Sequence, residues 1–433
     1  MKKKLIILSH DAMVREDVDY LQQTEPFRTL TADGAQVTHL RTIYPTVTYP
    51  AHTSIITGTY PEKHGVVSNE ITAVGRMGSP WRWFRDANHM PSLFTAAKAA
   101  GLSTASVYWP VTGNDPDIDY LVNEYWAQGP DDTLEAALRR SGTSDDVFTR
   151  AVAPHMELTH GEGKPRHPYC DQFVIDIACS MIEEFRPDVL AIHPANVDNA
   201  RHGNGLFNDA VIASLDNVAR WTQQIIDATK RAGVFEQTDL VVLSDHGQLD
   251  VTRVCNPNVA LAEHGLIRTD EDGNYLDSDA FCQSNAMSSY VYLKNPSNIA
   301  LVDRVGDLLE EMRASGEYGI SRVFSREEAA EEEHLYGGFS FVLETDGTTT
   351  FGNSWNRPIC TSLIREDYRS GRATHGYHPD KGPQPVFIGY GPSFRKGAVL
   401  ERRPIVDCAP TFAKLLGLEM PWAQGTAMTE LLN

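Results

Sequence analysis

The chain carries the stretch YPTVTYPAHTSIITG at residues 44–58, and its pattern predicts a helix that begins beside a hydroxyl group. Pro50 suits the first position of a helix, because its missing N–H costs no hydrogen bond there, and it keeps Tyr49 out of helical geometry. Thr48 is therefore expected at the positive end of a helix dipole, where an alkoxide and an anionic phosphate are both stabilised. A threonine at this position more commonly just caps the helix, so residues elsewhere in the chain must decide its role.

The length and charge of the chain limit the classes of protein to which it can belong. Its 433 residues can bury a large core, so one α/β domain with an insertion and a two-domain protein both fit. The formal net charge of -20 argues against general binding to nucleic-acid polymers or anionic membranes, which require basic surfaces. No stretch approaches the roughly 18 apolar residues of a membrane span, and the apolar run at 5–8 is too short for a signal peptide.

The cysteines agree with a reducing compartment. They are scattered, without CxxC spacing, which is typical of free thiols rather than of a disulfide framework. We therefore expect a cytoplasmic protein without membrane contact. The six cysteines are Cys170, Cys179, Cys255, Cys282, Cys360 and Cys408.

Acidic or imidazole side chains follow three apolar segments that have the character of buried parallel strands, at 3–8, 188–192 and 240–243. Open α/β sheets bind ligands at the carboxyl ends of such strands. Any one of these side chains would usually belong to a turn, but the whole set contains the nitrogen and oxygen donors that suit two zinc ions. Two ions about 3.5 to 4 Å apart can hold the attacking and leaving oxygens of a displacement at phosphorus. The candidate ligands are Asp11, Asp198, His202, Asp245, His246 and, from a fourth segment, His375.

The pattern changes between about 252 and 370, where short strands and a helix at 299–314 predict an α+β insertion. Alternating segments at 339–344 and 348–351, separated by Asp346-Gly347, predict a hairpin. The acidic run at 327–333 is interpreted as a solvated helix face. We therefore expect a catalytic core formed by residues 1–251 and 371–433, with residues 252–370 as an inserted cap subdomain.

In combination, the motifs resemble the type I phosphodiesterase and nucleotide pyrophosphatase family of the alkaline phosphatase superfamily. The resemblance implies an α/β fold with a mostly parallel central sheet flanked by helices, and it covers nearly the whole chain outside the insertion. The matching positions are Asp11 and Gly58 with segments 45–50, 60–65, 91–93, 109–110, 198–202, 244–247, 374–377 and 406–411.

The resemblance also implies roles for individual residues. Thr48 would be the nucleophile of a covalent threonyl-phosphoryl intermediate, and Asn69 would donate its side-chain amide to a phosphoryl oxygen. Thr46 is the rival nucleophile, but it lies further from the predicted helix start. Tyr49 is a candidate substrate contact, although packing would explain an aromatic residue there equally well. Two zinc ions per chain are implied, although other divalent ions would fit; one is held by Thr48, Asp11, Asp245 and His246, the other by Asp198, His202 and His375.

The resemblance favours zinc-dependent hydrolysis of phosphate diesters with a small organic phosphate ester as substrate, and it leaves the oligomeric state open. One departure concerns the leaving-group side: the family commonly follows His-Gly-Tyr with Asp-Asn, whereas this chain has His378-Pro379-Asp380. The long insertion is similar to the cap of phosphonoacetate hydrolase, so a phosphomonoesterase or a phosphonate hydrolase is the alternative. A phosphate mutase of the same superfamily would use serine and manganese, which Thr48 disfavours, and a silent binding protein would not need the nucleophile.

Overall fold

The computed structural model describes residues 3–363 and 372–433. The predicted boundary at 370/371 lies outside the described residues, and the division into core and cap stays a prediction. Within the described ranges the strands are β1 (Lys4–Ser9), β2 (Ala35–Arg41), β3 (Thr104–Val107), β4 (Tyr120–Val122), β5 (Val189–Ile192), β6 (Thr238–Leu243), β7 (Leu249–Asp250), β8 (Arg253–Cys255), β9 (Ile267–Thr269), β10 (Tyr275–Ser278), β11 (Ala280–Asn285), β12 (Ser288–Leu293), β13 (Ile320–Ser325), β14 (Phe341–Thr345), β15 (Thr349–Phe351), β16 (Cys360–Ser362), β17 (Ala373–Thr374), β18 (Phe387–Tyr390) and β19 (Val399–Pro404).

The helices follow apolar spacing and local capping. The longest begins after Asn208, whose side chain accepts hydrogen bonds from the N–H groups of Ala210 and Val211. The α-helices described are α1 (Arg15–Leu21), α2 (Phe27–Asp33), α3 (Thr48–Thr57), α4 (Pro61–His64), α5 (Leu93–Ala99), α6 (Leu134–Arg140), α7 (Asp145–Val147), α8 (Tyr169–Glu184), α9 (Asn196–Asn204), α10 (Asp209–Arg231), α11 (Pro257–Glu263), α12 (Ile299–Ser315), α13 (Arg326–Glu333) and α14 (Cys408–Leu416). No helix among the described residues is both long and apolar enough to cross a bilayer. The cytoplasmic location stays a prediction.

An eight-stranded sheet, in the order β19-β2-β18-β6-β1-β5-β3-β4, forms the centre of the fold. Its strands are parallel except β18, which is antiparallel to both neighbours. The central strands β6, β1 and β5 lie side by side, so their carboxyl ends open on one edge of the sheet. The predicted mostly parallel α/β sheet is confirmed.

Both faces of this sheet are buried. In β1, Leu5 and Ile7 point into one core, whereas Ile6 and Leu8 point into the other, as the two-residue repeat of a strand requires. Helices α8 and α10 cover the face that contains Ile6. Helices α3, α5 and α14 cover the opposite face. The sandwiched strands explain why the sequence shows continuous apolar runs rather than alternation.

The hairpin predicted at 339–344 and 348–351 is wrong. Strand β14 lies in a four-stranded antiparallel sheet of order β11-β12-β14-β13, whereas β15 pairs in parallel with β8 in a separate sheet. The Asp346 carboxylate accepts hydrogen bonds from the N–H groups of Thr348 and Thr349. These bonds turn the chain out of the first sheet, so Asp346-Gly347 connects two sheets instead of two neighbouring strands.

The acidic run at 327–333 forms α13, as predicted, but one end of it is not solvated. Glu333 is buried, and its carboxylate accepts hydrogen bonds from Arg41 at 2.9 Å and lies 2.9 Å from Nε2 of His378. The earlier residues of the run are mostly exposed. Arg41 is the last residue of β2, so the ion pair between Glu333 and Arg41 connects α13 to the central sheet.

Candidate active site

The helix predicted after residue 48 is present, but it begins earlier than expected. Thr48 itself is the first residue of α3, Val47 is extended before it, and Pro50 is the third residue rather than the first. The first N–H groups of a helix have no intrahelical partner, so proline is tolerated at this third position without losing a hydrogen bond. The helix ends at Gly58, which has a φ of 69° that suits glycine. The Thr48 hydroxyl consequently lies at the positive end of the helix.

The two threonines of the motif have different surroundings. The Thr48 hydroxyl lies 3.1 Å from Nε2 of His246, at the edge of the ligand cluster. The Thr46 hydroxyl donates to the carbonyl of Tyr377 at 3.0 Å and accepts from the Gly376 N–H at 2.9 Å. Both hydrogen bonds of the Thr46 hydroxyl are made with backbone groups, so this hydroxyl has a structural role. The Thr48 hydroxyl is the one that contacts a candidate ligand, His246.

Asp11, Asp245 and His246 form the first group of candidate ligands. All three are buried, and one donor atom of each lies within 4.8 Å of the others. Nε2 of His246 lies 3.2 Å from Asp245 Oδ2 and 3.5 Å from Asp11 Oδ1. These residues come from the loops after β1 and β6, which are adjacent strands of the sheet.

Asp198, His202 and His375 form the second group. Asp198 and His202 are one helical turn apart on α9, so they share a face of the helix, with 3.1 Å between Oδ2 and Nε2. Nε2 of His375 lies 3.9 Å from Asp198 Oδ1. Asp198 and His375 also group with His246 within 4.8 Å, so His246 lies between the two groups. The structure thus brings together all six side chains predicted as ligands.

Burial dominates the electrostatics of the first group. Burial, with the charges of Asp245 and Asp198 next in size, raises the pKa of Asp11 well above its ordinary value. Burial likewise raises the pKa of Asp245 to about 6, against opposing contributions from His193 and the N–H of Ala12. Burial also lowers the pKa of His246 to about 4, so its imidazole stays neutral with a lone pair to offer. A nearby divalent cation would stabilise the carboxylates in their charged form.

In the second group, the charges of the histidines oppose the effect of burial on the pKa of Asp198. Burial alone would raise the pKa of Asp198, but the charges of His202 and His375 outweigh it, so the net direction is down. The Nδ1 atom of His202 lies 2.8 Å from the carbonyl of Ala373, which orients Nε2 towards Asp198.

Unpartnered buried atoms indicate where cations would fit. Oδ1 of Asp11, Oδ2 of Asp245 and Nδ1 of His375 are buried without a hydrogen-bond partner. Buried polar atoms normally have partners, and a carboxylate and imidazole donor set suits zinc. The residues present therefore fit a divalent metal centre.

Asn69 and Tyr49 meet at the start of α3. The Asn69 side-chain carbonyl accepts a hydrogen bond from the Tyr49 N–H at 2.8 Å. This bond orients the Asn69 side chain and leaves its amide nitrogen as the donor end. The Tyr49 ring is fully buried and packs edge to face against Trp81, so the side chain contributes packing rather than an open stacking surface.

Three residues that support the ligands were not identified from the sequence. His52 lies with Nδ1 2.9 Å from the carbonyl of Thr48 and 3.4 Å from Asp245 Oδ2. His193 Nε2 lies 3.2 Å from Asp11 Oδ2, and Gln248 donates to Asp198 Oδ1 at 2.5 Å. The four-residue spacing from Thr48 to His52 on one helix face, and the place of His193 directly after β5, were signals available in the sequence.

The family model described as type I phosphodiesterase / nucleotide pyrophosphatase matches residues 5–378. The chain belongs to this family. The match extends from β1 to just past His375, so it contains every candidate ligand and Thr48.

Family members with curated descriptions are distant in sequence and longer than this chain. Ectonucleotide pyrophosphatase/phosphodiesterase family member 1 of Rattus norvegicus is 21% identical over 419 residues, which cover 89% of this chain and 37% of that protein. The Homo sapiens protein of the same name is 22% identical over 49% of this chain and 20% of its own length. Venom phosphodiesterase of Macrovipera lebetinus is 20% identical over 84% of this chain and 37% of its own. The chain thus spans well under half the length of these relatives.

The fold is shared with a solved member of the same family. Murine ectonucleotide pyrophosphatase / phosphodiesterase 5 superposes with a TM-score of 0.66 at 18% identity, with full coverage of both chains. A second structure of that protein is an inactive threonine-to-alanine variant in complex with AMP, and it matches equally well. At this identity the likeness establishes the alkaline-phosphatase-like fold.

Proposed function

We propose that the protein is a two-zinc phosphodiesterase that hydrolyses small organic phosphate diesters, nucleotide-like ones among them, through a covalent intermediate on Thr48. The observation that carries this proposal is the 3.1 Å distance between the Thr48 hydroxyl and Nε2 of His246, the residue that belongs to both groups of candidate ligands. Membership of the type I phosphodiesterase / nucleotide pyrophosphatase family supports the reaction class. The AMP complex of the murine relative, solved with a variant inactivated by replacing a threonine, supports both a nucleotide substrate and a threonine nucleophile.

In this mechanism the chain contributes the nucleophile and the groups around it. The Thr48 oxygen forms a bond to phosphorus while the bond to the leaving oxygen breaks, and water then releases the phosphoryl group and restores the hydroxyl. The N-terminus of α3 stabilises the negative charge that develops there. The side-chain amide of Asn69 donates to a non-bridging phosphoryl oxygen.

The metal centre is part of the same proposal. Asp11, Asp245, His246 and Thr48 would hold one zinc ion, and Asp198, His202 and His375 would hold the other. When bound, the ions would lower the pKa of the attacking hydroxyl and water and neutralise charge on the phosphoryl group. His52, His193 and Gln248 keep the ligand side chains in place by the contacts described above.

A phosphomonoesterase or phosphonate hydrolase with the same centre remains the alternative, favoured by one observation. After Tyr377, where the family commonly has Asp-Asn, this chain has His378-Pro379-Asp380. The His378 imidazole lies 2.9 Å from Glu333, and the Asp380 carboxylate accepts a hydrogen bond from Arg41 at 3.0 Å. The side chains that follow Tyr377 therefore differ from the family pattern and are engaged in ion pairs.

Steady-state kinetics on zinc-loaded protein separate these functions. We expect kcat/KM for bis-p-nitrophenyl phosphate to exceed that for p-nitrophenyl phosphate, and phosphonoacetate to be untouched. A nucleoside p-nitrophenyl phosphate diester should be a still better substrate if a nucleoside is recognised. A strong preference for the monoester would overturn the proposed function, and release of phosphate from phosphonoacetate would establish the alternative.

A further inference from the structure

Two cysteines face each other where the chain enters and leaves the region that carries the smaller sheets. Cys255 is the last residue of β8, and Cys360 is the first residue of β16. The two strands are antiparallel, and these residues occupy directly opposite positions in their register. In the sequence, β8 follows His246 and β16 precedes His375, so the pair lies near the two ends of this region in the chain.

The hydrogen bonds between β8 and β16 show whether Cys255 and Cys360 form a hydrogen-bonded or a non-hydrogen-bonded pair of the antiparallel strands. The Asn256 N–H donates to the carbonyl of Ile359 at 2.7 Å, and the Leu363 N–H donates to the carbonyl of Thr252 at 3.3 Å. Since bonded and non-bonded pairs alternate along antiparallel strands, the opposing pair next to Asn256 and Ile359 is a non-bonded one. Directly opposite side chains lie on the same face, with Cα atoms about 4.5 Å apart in such pairs. That spacing falls within the roughly 4.4 to 6.8 Å range of disulfides.

The two thiols differ in environment. Cys255 is fully buried, whereas Cys360 is partly exposed. A hydrogen bond from Cys255 lowers the pKa of the Cys360 thiol to about 7, with a smaller contribution from Arg253. The same hydrogen bond, and burial after it, raise the pKa of Cys255. Cys360 is thus the thiol that a small disulfide can reach, and its thiolate is the attacking species in disulfide exchange.

We propose that Cys255 and Cys360 form a redox-responsive pair that closes to a disulfide in an oxidising environment. The disulfide would act as a clamp that links the two ends of the segment 255–360. A low-molecular-weight disulfide such as oxidised glutathione is the oxidant. The Cys360 thiolate attacks one of its sulfurs and releases one small thiolate. Cys255 gives up its proton to that thiolate and attacks the Cys360 sulfur, which releases the second small thiolate. Two protein thiols are thereby oxidised to one disulfide, and the small disulfide is reduced to two thiols.

The clamp has a physical consequence for the whole chain. A disulfide across a long loop limits the freedom of the unfolded chain, and the gain is larger for long loops than for short ones. In the sequence, the linked strands lie after His246 and before His375. Oxidation should therefore raise Tm by several degrees and slow proteolysis between the two cysteines, without new contacts in the folded state.

The test is peptide mapping of the full-length protein after equilibration with oxidised or reduced glutathione. We expect a Cys255–Cys360 linked peptide, the loss of two titratable thiols and a higher Tm only in the oxidised sample, with all three effects absent in Cys360→Ser. Cys179→Ser, which alters a half-buried cysteine in α8, is the matched control and should keep them.

Three results would overturn the proposal. One is a persistent mixed disulfide between Cys360 and glutathione, since it would show that Cys255 cannot resolve it. Another is linkage of Cys255 to Cys282, the buried cysteine near it in the same core. The third is an unchanged Tm in protein whose Cys255–Cys360 disulfide has been mapped, because it would show that the disulfide does not stabilise the fold. None of these results depends on the proposed phosphodiesterase activity.

Discussion

The Thr48 hydroxyl and Nε2 of His246 lie 3.1 Å apart, although 198 residues separate them in the chain. Thr48 begins a helix on one side of the sheet, while His246 follows β6, a central strand. Their contact places the candidate ligands beside the positive end of the helix dipole.

Thr48→Ala should lower kcat by at least about 10³-fold, because the proposed nucleophile is lost. Zinc content measured by inductively coupled plasma mass spectrometry should stay near that of the wild type, since the six other ligands remain. Thr46→Ser is the matched control: it keeps the hydroxyl that binds Tyr377 and Gly376, so its activity should be close to normal. Substantial turnover by Thr48→Ala would move the nucleophile elsewhere.

Asp198→Ala should remove one of the two proposed metal ions. Asp198 contacts His202 and groups with His375, so its loss leaves that position with imidazoles alone. We expect the zinc content to fall from about two to about one per chain, with activity lost. Asp216→Asn changes an exposed carboxylate that accepts a hydrogen bond from Tyr20, and it should leave the zinc content unchanged. An unaltered metal content in Asp198→Ala would contradict the ligand assignment.

Asn69→Ala should lower kcat/KM by about 10²- to 10³-fold, the usual effect of removing one donor to a developing oxyanion. Asn69→Asp separates the two ends of the side chain. It keeps an acceptor for the Tyr49 N–H but replaces the donor with a negative charge. We therefore expect Asn69→Asp to be at least as impaired as Asn69→Ala while its Tm stays nearer to that of the wild type. Near-normal kinetics in Asn69→Asp would show that only the Tyr49 contact matters.

Glu333→Gln should destabilise the fold by about 2 kcal/mol at pH 7, because Arg41 and His378 lose a buried charged partner. Burial alone would raise the pKa of Glu333, but His378 and Arg41 outweigh it, so the net pKa is lowered. A lowered carboxyl pKa contributes stability above its unfolded pKa, near 4.5, and this stability is lost as pH falls through the folded pKa. The difference between variant and wild type should therefore shrink below about pH 4.

Urea unfolding at pH 7 and at a pH below 4 measures this effect. Glu332→Gln is the matched control, because the neighbouring glutamate is exposed and pairs with Arg322 at the surface. It should change stability by less than about 0.5 kcal/mol at either pH. Equal losses in the two variants would show that the burial of Glu333 has no energetic consequence.

Much of the fold could be predicted because the signals are local. The apolar run of β1 and the glycine that ends α3 each reflect short-range physics. The start of α3 was misplaced by two residues, because proline fits any of the first positions that lack an intrahelical partner. The hairpin at Asp346-Gly347 failed for another reason: that turn chemistry is local, whereas the choice of partner strand depends on the sheet that each segment can join.

The local sequence predicts which residue types lie at the ends of the strands, and it predicts a hydroxyl at the start of a helix. How these groups combine is visible in the folded chain alone: His246 belongs to both groups of candidate ligands, Thr46 is hydrogen-bonded to the backbone, Glu333 is buried, and Cys255 lies opposite Cys360. Helix starts and strand ends are predictable because they depend on neighbours along the chain. Pair distances, burial and strand register instead depend on residues brought together by packing over hundreds of positions.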